Sequence, residues 1–135
     1  MKKGQAAIEY MVVVAVGLLV LIPIVYYSSR SFQNYKEDTN ILSAKTTVEK
    51  IGENVDWVYS QGYPARVQIK VYVPEKVTLA SLENRTVLMR IYSTSGPKDV
   101  YYETISDMVG ALPSRAGFYR LSVAATDGFV NVSVQ

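Results

Sequence analysis

Hydrophobic and polar positions divide the chain into three regimes. From Met11 to Tyr27 seventeen consecutive residues carry no charge (MVVVAVGLLVLIPIVYY). As a helix rising ~1.5 Å per residue this run covers roughly 26 Å, close to the hydrocarbon thickness of a bilayer once Tyr10 and Ser28-Ser29 are added. From Ser28 to Ser60 the only glycine or proline is Gly52, and Ile41, Ala44, Val48, Ile51, Val55 and Val58 recur at alternating steps of three and four. That spacing puts them on one face of an amphipathic helix and predicts packing against the remainder of the chain, with a coiled-coil seam as the alternative. Lys45, Glu49, Lys50, Glu53 and Asp56 fall between them as a charge-balanced face. Gly62 and Pro64 supply stop chemistry near Gln61.

Beyond Ala65 the period becomes two. Val67, Ile69, Val71 and Val73 alternate with Arg66, Gln68, Lys70 and Tyr72, the pattern of a half-buried strand that Pro74 closes. Five more strands are expected at Val77 to Leu82, Thr86 to Tyr92, Val100 to Ile105, Phe118 to Ala125 and Phe129 to Val134. Turn chemistry separates them at Glu83-Asn84-Arg85, Ser95-Gly96-Pro97, Leu112-Pro113-Ser114 and Asp127-Gly128. The predicted fold class is α+β: a long N-terminal helix over residues 5–62 (apolar 11–27, amphipathic 28–61), then a small antiparallel β-sandwich over 63–135. The stretch Gly117 to Val123 with the hairpin turn at Thr126-Asp127-Gly128 resembles the last two strands of an immunoglobulin-like sandwich, with Tyr119 at the place of a tyrosine corner.

Composition then narrows the chemistry. With no His and no Cys, imidazole bases, thiol nucleophiles, thiolate metal sites and disulfides are all removed. Phosphate-cradling, zinc-peptidase, nucleophile-elbow and calcium-loop motifs are missing as well. An enzyme is therefore not expected, nor is a metal or cofactor. Glu103 and Asp107, at i,i+4, could share a helical face or sit on a loop, but one such pair is ordinary surface charge more often than an acid/base couple. Fourteen Lys+Arg against twelve Asp+Glu make a net charge of +2, too even for a nucleic-acid partner to be expected. Eleven tyrosines fit strand propensity, and Tyr101-Tyr102 could also form an exposed contact cluster.

Lys2 and Lys3 ahead of the apolar run keep the N-terminus cytoplasmic under the positive-inside rule and place the chain after residue 30 outside. A small-x-small cleavage pattern is missing behind the run, so the apolar segment stays on the protein. Glu9 stands at its leading edge, where a carboxylate is costly and calls for a partner. The string Lys2-Lys3-Gly4-Gln5-Ala6-Ala7-Ile8-Glu9-Tyr10 before an uncharged helix resembles the class III signal peptide of archaeal type IV pilin-like proteins. Bacterial tight-adherence pilins carry a similar Glu-Tyr, and Ala7 stands where many relatives have another small residue such as Ser.

The resemblance implies cleavage of residues 1–4 between Gly4 and Gln5 by a prepilin peptidase. It further implies subunit registration through Glu9 and Tyr10, a helix bend at Pro23, and assembly by an ATPase and a membrane platform protein into a homo-oligomeric helical filament. The protein would sit in the cell membrane as a precursor and then in an extracellular filament used for adhesion. A new α-amine on Gln5 would lie one helical turn from Glu9, able to neutralise a neighbour's carboxylate. Asn84-Arg85-Thr86 and Asn131-Val132-Ser133 match the N-glycosylation pattern. Competing expectations are an uncleaved, membrane-anchored β-sandwich that binds a ligand or partner, a subunit of an uptake or secretion apparatus, and, far behind, a carboxylate hydrolase.

Overall fold

The computed structural model describes residues 2–135, so Met1, the first residue of the expected leader, lies outside the described residues. One α-helix, α1 (Lys2–Gln61), is followed by seven strands: β1 (Arg66–Val73), β2 (Val77–Glu83), β3 (Thr86–Ser93), β4 (Gly96–Glu103), β5 (Asp107–Gly110), β6 (Gly117–Ala125) and β7 (Phe129–Val134). The layout is α+β with predominantly antiparallel sheets. Compact packing divides the chain inside α1, into residues 1–36 and residues 37–135.

Residues 2–36 are helix throughout, and α1 continues through Pro23. The helical segment already includes Lys3 and Gly4, ahead of the start expected at Gln5. Apolar side chains here are exposed on every face, from Ile8 at 65% and Met11 at 72% to Tyr27 at 75%. A helix apolar all round is stable only where something apolar surrounds it.

Residues 37–135 enclose a core of their own. Ala44, Val48, Ile51, Val55 and Val58 are buried and Ile41 packs half-buried beside them, so the stripe read from the sequence is the face that α1 turns to the strands. It meets Ile69 and Val71 of β1, Val87, Met89 and Ile91 of β3, Met108 of β5, Leu121, Val123 and Ala125 of β6, and Val130 and Val132 of β7. Each fully buried aliphatic side chain stabilises the fold by roughly 1.5–3 kcal/mol over its exposed state. Gly62, at φ 75°, ends the helix as its N–H bonds the Val58 carbonyl at 3.2 Å.

The strands form two sheets, of order β1-β6-β7-β5 and β2-β3-β4. β1 pairs antiparallel with β6 from Arg66↔Ala124 to Val73↔Gly117, and the register of β2 on β3 shifts between Val77 and Leu79. Two expectations are corrected, and one open placement is decided. A seventh strand, β5, was not foreseen, and it runs parallel to β7, so the sheets are not purely antiparallel. β4 begins at Gly96 instead of Val100, because the β3–β4 turn is Thr94-Ser95 alone. Pro97 is accommodated there because β4 is a sheet edge, where a missing N–H breaks no ladder. Glu103 ends β4 and Asp107 begins β5, so the two share no helical face.

Polar side chains tie the second half of α1 to both sheets. The Thr47 hydroxyl donates to the Tyr72 carbonyl at 2.5 Å and the Lys50 ammonium to the Lys70 carbonyl at 2.8 Å, which occupies acceptors along the free edge of β1. Asp56 accepts from the Ile105 N–H at 2.8 Å and from the Tyr102 hydroxyl at 3.3 Å. Burial, and then the charge of Asp56, pushes the Tyr102 phenol above its ordinary range. Glu37 accepts from the Ser93 hydroxyl at 3.0 Å, the Thr94 N–H at 3.2 Å and the Thr94 hydroxyl.

The Thr94 and Ser93 hydrogen bonds hold the Glu37 carboxyl below its ordinary value of 4.5. A depressed folded pKa gives stability that is present above the unfolded value and lost as pH falls through the folded one. The stability difference between the native chain and Glu37→Gln is therefore expected to be constant at neutral pH and to close below pH 4.5. Urea midpoints of both proteins at about pH 7 and about pH 3 check this, and a gap that persists in acid would contradict it.

Candidate functional site

Gly4, Gln5, Glu9 and Tyr10 all lie on the exposed helix of residues 2–36. A Cβ on Gly4 would meet nothing within 4 Å, so the space beside this turn of the helix is open. Glu9 is exposed, as is Tyr10 at 72%, and among the described residues no cation pairs with Glu9. The helix has no acidic residue in its first turn, and Glu9, two turns in, is the first negative charge along it. Pro23 removes one backbone donor from the middle of the apolar run, which leaves a carbonyl one turn earlier without its usual helical partner.

The segment therefore combines four properties: a length that can cross a bilayer, apolar side chains on all faces, one carboxylate at its leading edge and exposed residues at Gly4 and Gln5. Helices of this kind associate through close packing and through polar groups that satisfy each other, since lipid offers no hydrophobic drive for them to meet.

On residues 37–135 both sequon asparagines are exposed. Asn84 occupies the β2–β3 turn at φ 53°, a left-handed conformation that asparagine tolerates well. Its carbonyl accepts from the Met108 N–H at 3.2 Å, and the neighbouring Arg85 carbonyl accepts from the Thr104 N–H at 2.7 Å, so the turn is pinned while the Asn84 side chain faces outward. Asn131 lies on β7, opposite Ala124 of β6 and Val109 of β5. The tyrosine pair is split: Tyr101 is 64% exposed, whereas Tyr102 packs half-buried against the core. Tyr119, in β6, also packs half-buried on the core.

Several carboxylates on this unit are engaged. Asp107 pairs with Arg85 at 3.1 Å, and Asp99 takes two hydrogen bonds from Arg90, at 2.5 and 2.7 Å. The Arg90 hydrogen bonds lower the Asp99 carboxyl below its ordinary range. No group of three or more His, Cys, Asp or Glu residues able to hold a metal ion occurs among the described residues.

Sequence reasoning missed the basic and aromatic outer surface of β1 and β6. Its residues are far apart along the chain and meet only through the Lys70↔Arg120 and Tyr72↔Phe118 register. Comparison with known families, with curated proteins and with solved structures finds no match to this chain.

Proposed function

We propose that the protein is a pilin-type subunit of a surface filament, made as a membrane-inserted precursor and cut between Gly4 and Gln5. The observation that carries this reading is the contrast within one chain. Residues 37–135 close their own core, whereas the helix of residues 2–36 leaves every large apolar side chain exposed, with Glu9 at the edge of the apolar run. Lipid satisfies that helix in the precursor, and neighbouring copies of the same helix satisfy it in the filament. The exchange costs little, because dispersion against packed side chains replaces dispersion against lipid tails. Pairing of Glu9 with the new Gln5 amine of a neighbour then sets the register.

Removing Lys2 and Lys3 with the leader takes away the charges that hold the N-terminus inside and eases extraction from the membrane. A prepilin peptidase, an assembly ATPase and a platform protein are the partners this route requires. The finer fold reading also belongs here: seven strands in sheets of three and four, ending in the β6–β7 hairpin, support an immunoglobulin-like description, from which the parallel β5–β7 pair departs. Exposure of Asn84 and Asn131 supports glycan attachment at both.

The deciding experiment is the N-terminal sequence of native protein taken separately from washed membranes and from sheared extracellular material. A start at Gln5 in the sheared fraction is the expected result. A chain that retains Lys2-Lys3-Gly4 and is found in membranes alone would favour the second reading, an anchored extracellular binding domain, for which the exposed helix is equally suited.

A further inference from the structure

The outer face of the β1-β6-β7-β5 sheet has an uneven distribution of charge. β1 presents Arg66, Gln68, Lys70 and Tyr72 outward, and β6 presents Phe118 and Arg120. Lys70 stands directly opposite Arg120 in the register, a like-charge cross-strand pair that costs stability. No carboxylate side chain relieves it: β7 adds Asn131 and Ser133, and the acid on this face, Asp107, lies on β5 at the opposite edge and is paired with Arg85. Instead the Lys70 ammonium sits over the Phe118 ring, 5.0 Å from its centroid, and that ring packs on Tyr72 at 4.9 Å.

Two grooves meet at this point. One, of about 490 Å³, runs between α1 and β1 and is bordered by Lys50, Lys70, Tyr72 and Phe118. The other, of about 290 Å³, is bordered by Lys70, Phe118, Arg120 and Gln135. Lys50, Lys70 and Arg120 thus border the grooves around one aromatic pair, with Gln135 on the second groove and the Gln68 amide donating to the Gln135 side-chain oxygen at 3.0 Å.

We infer that this face binds a carboxylated polysaccharide. A like-charge pair that makes no ion pair among the described residues is relieved by an anionic ligand, and a guanidinium offers a carboxylate two parallel hydrogen bonds. The Phe118 side chain, 70% exposed, offers apolar surface to the C–H side of a sugar ring, and the side-chain amides match its hydroxyls. Three cations around two grooves suit a chain with one carboxylate per sugar better than a nucleic acid, whose binders neutralise many closely spaced phosphates. The site lies wholly on residues 37–135, so it holds whether the chain is a filament subunit or an anchored domain.

The test is binding of the full-length chain, in micelles of a neutral detergent, to polygalacturonate, with dextran and oligo(dT) as competitors. Polygalacturonate is expected to bind, dextran to fail to compete, and oligo(dT) to compete at least about tenfold more weakly. Lys70→Gln/Arg120→Gln should lower the polygalacturonate affinity at least about tenfold, and Phe118→Ala should lower it without changing the salt dependence. The charge variant removes a like-charge repulsion together with the Lys70 contact to Phe118, two small effects of opposite sign, so its thermal midpoint should stay close to the parent's, which separates lost binding from lost folding. No binding to polygalacturonate, unchanged affinity in the charge variant, or tighter binding of oligo(dT) would each overturn the assignment.

Discussion

Glu9→Leu is expected to leave the chain folded and inserted in the membrane while removing it from sheared surface material. The carboxylate stands at the edge of a run that is otherwise free of charge. An acidic group at a membrane helix centre costs ~2.5–3.5 kcal/mol and less toward the end, so leucine there is neutral or favourable for a simple anchor. In a filament the same position is the carboxylate that a neighbour's amine would neutralise. Loss of one partner of a buried ion pair costs about 3–5 kcal/mol because the other charge is left unpaired, equivalent to more than a hundredfold in association. Immunoblots of the two fractions should show membrane levels maintained and sheared protein reduced at least that far. Glu9→Gln, which keeps the size and removes the charge, should behave the same way. Equal yields of sheared native and variant protein would refute the registration role of Glu9.

The parts of the fold legible in the sequence are those set by local periodicity. The buried stripe Ala44, Val48, Ile51, Val55 and Val58 needed only its three-and-four spacing, since a helix with one apolar face has to cover it. β1, β6 and β7 were legible for the same reason at period two, and their bounds lie within a residue or two of the alternation. β5 was not, because Asp107-Met108-Val109-Gly110 directs one buried residue inward, and four residues cannot establish a period. What holds it is distant: Met108 and Gly110 pair with Val130 and Val132.

Gly110, at φ 148°, also lies so close to the Val132 backbone that a Cβ would sit 2.9 Å from its carbonyl carbon. Its close-packing role is invisible until β7 is placed beside it. The start of β4 was hidden by Gly96-Pro97, which has turn chemistry but lies in an edge strand. The polar ties from Glu37, Thr47, Lys50 and Asp56 to the strands depend on pairings 20 to 57 residues apart, and composition assigns such residues to a solvated face. The site divides in the same way. Gly4, Gln5, Glu9 and Tyr10 are a contiguous motif and legible at once, while Lys70 and Arg120 become neighbours only when β1 pairs with β6.

Gly52→Ala should unfold residues 37–135 more readily in the native background and stabilise them when Tyr102 is also alanine. Gly52 is buried on α1 where the Tyr102 ring lies across the helix, so that an added Cβ would come within 2.6 Å of the ring's Cγ. The root of the ring cannot swing aside as the end of a flexible chain would, because β4 fixes its backbone and Asp56 holds its hydroxyl. Overpacking of this kind costs about 1–3 kcal/mol, and displacing the ring also weakens the Asp56 bond, so a loss near the upper end is expected. Alanine is otherwise the better helix residue by about 1 kcal/mol. With Tyr102→Ala the obstruction is gone and that preference alone remains, so the same substitution should change sign. Urea denaturation of the four proteins, read by far-ultraviolet circular dichroism, gives the coupling as the difference between the two effects, expected at about 3–4 kcal/mol. A Gly52→Ala effect of one sign and size in both backgrounds would mean that Tyr102 does not rest on the glycine, and the packing of β4 against α1 would have to be redrawn.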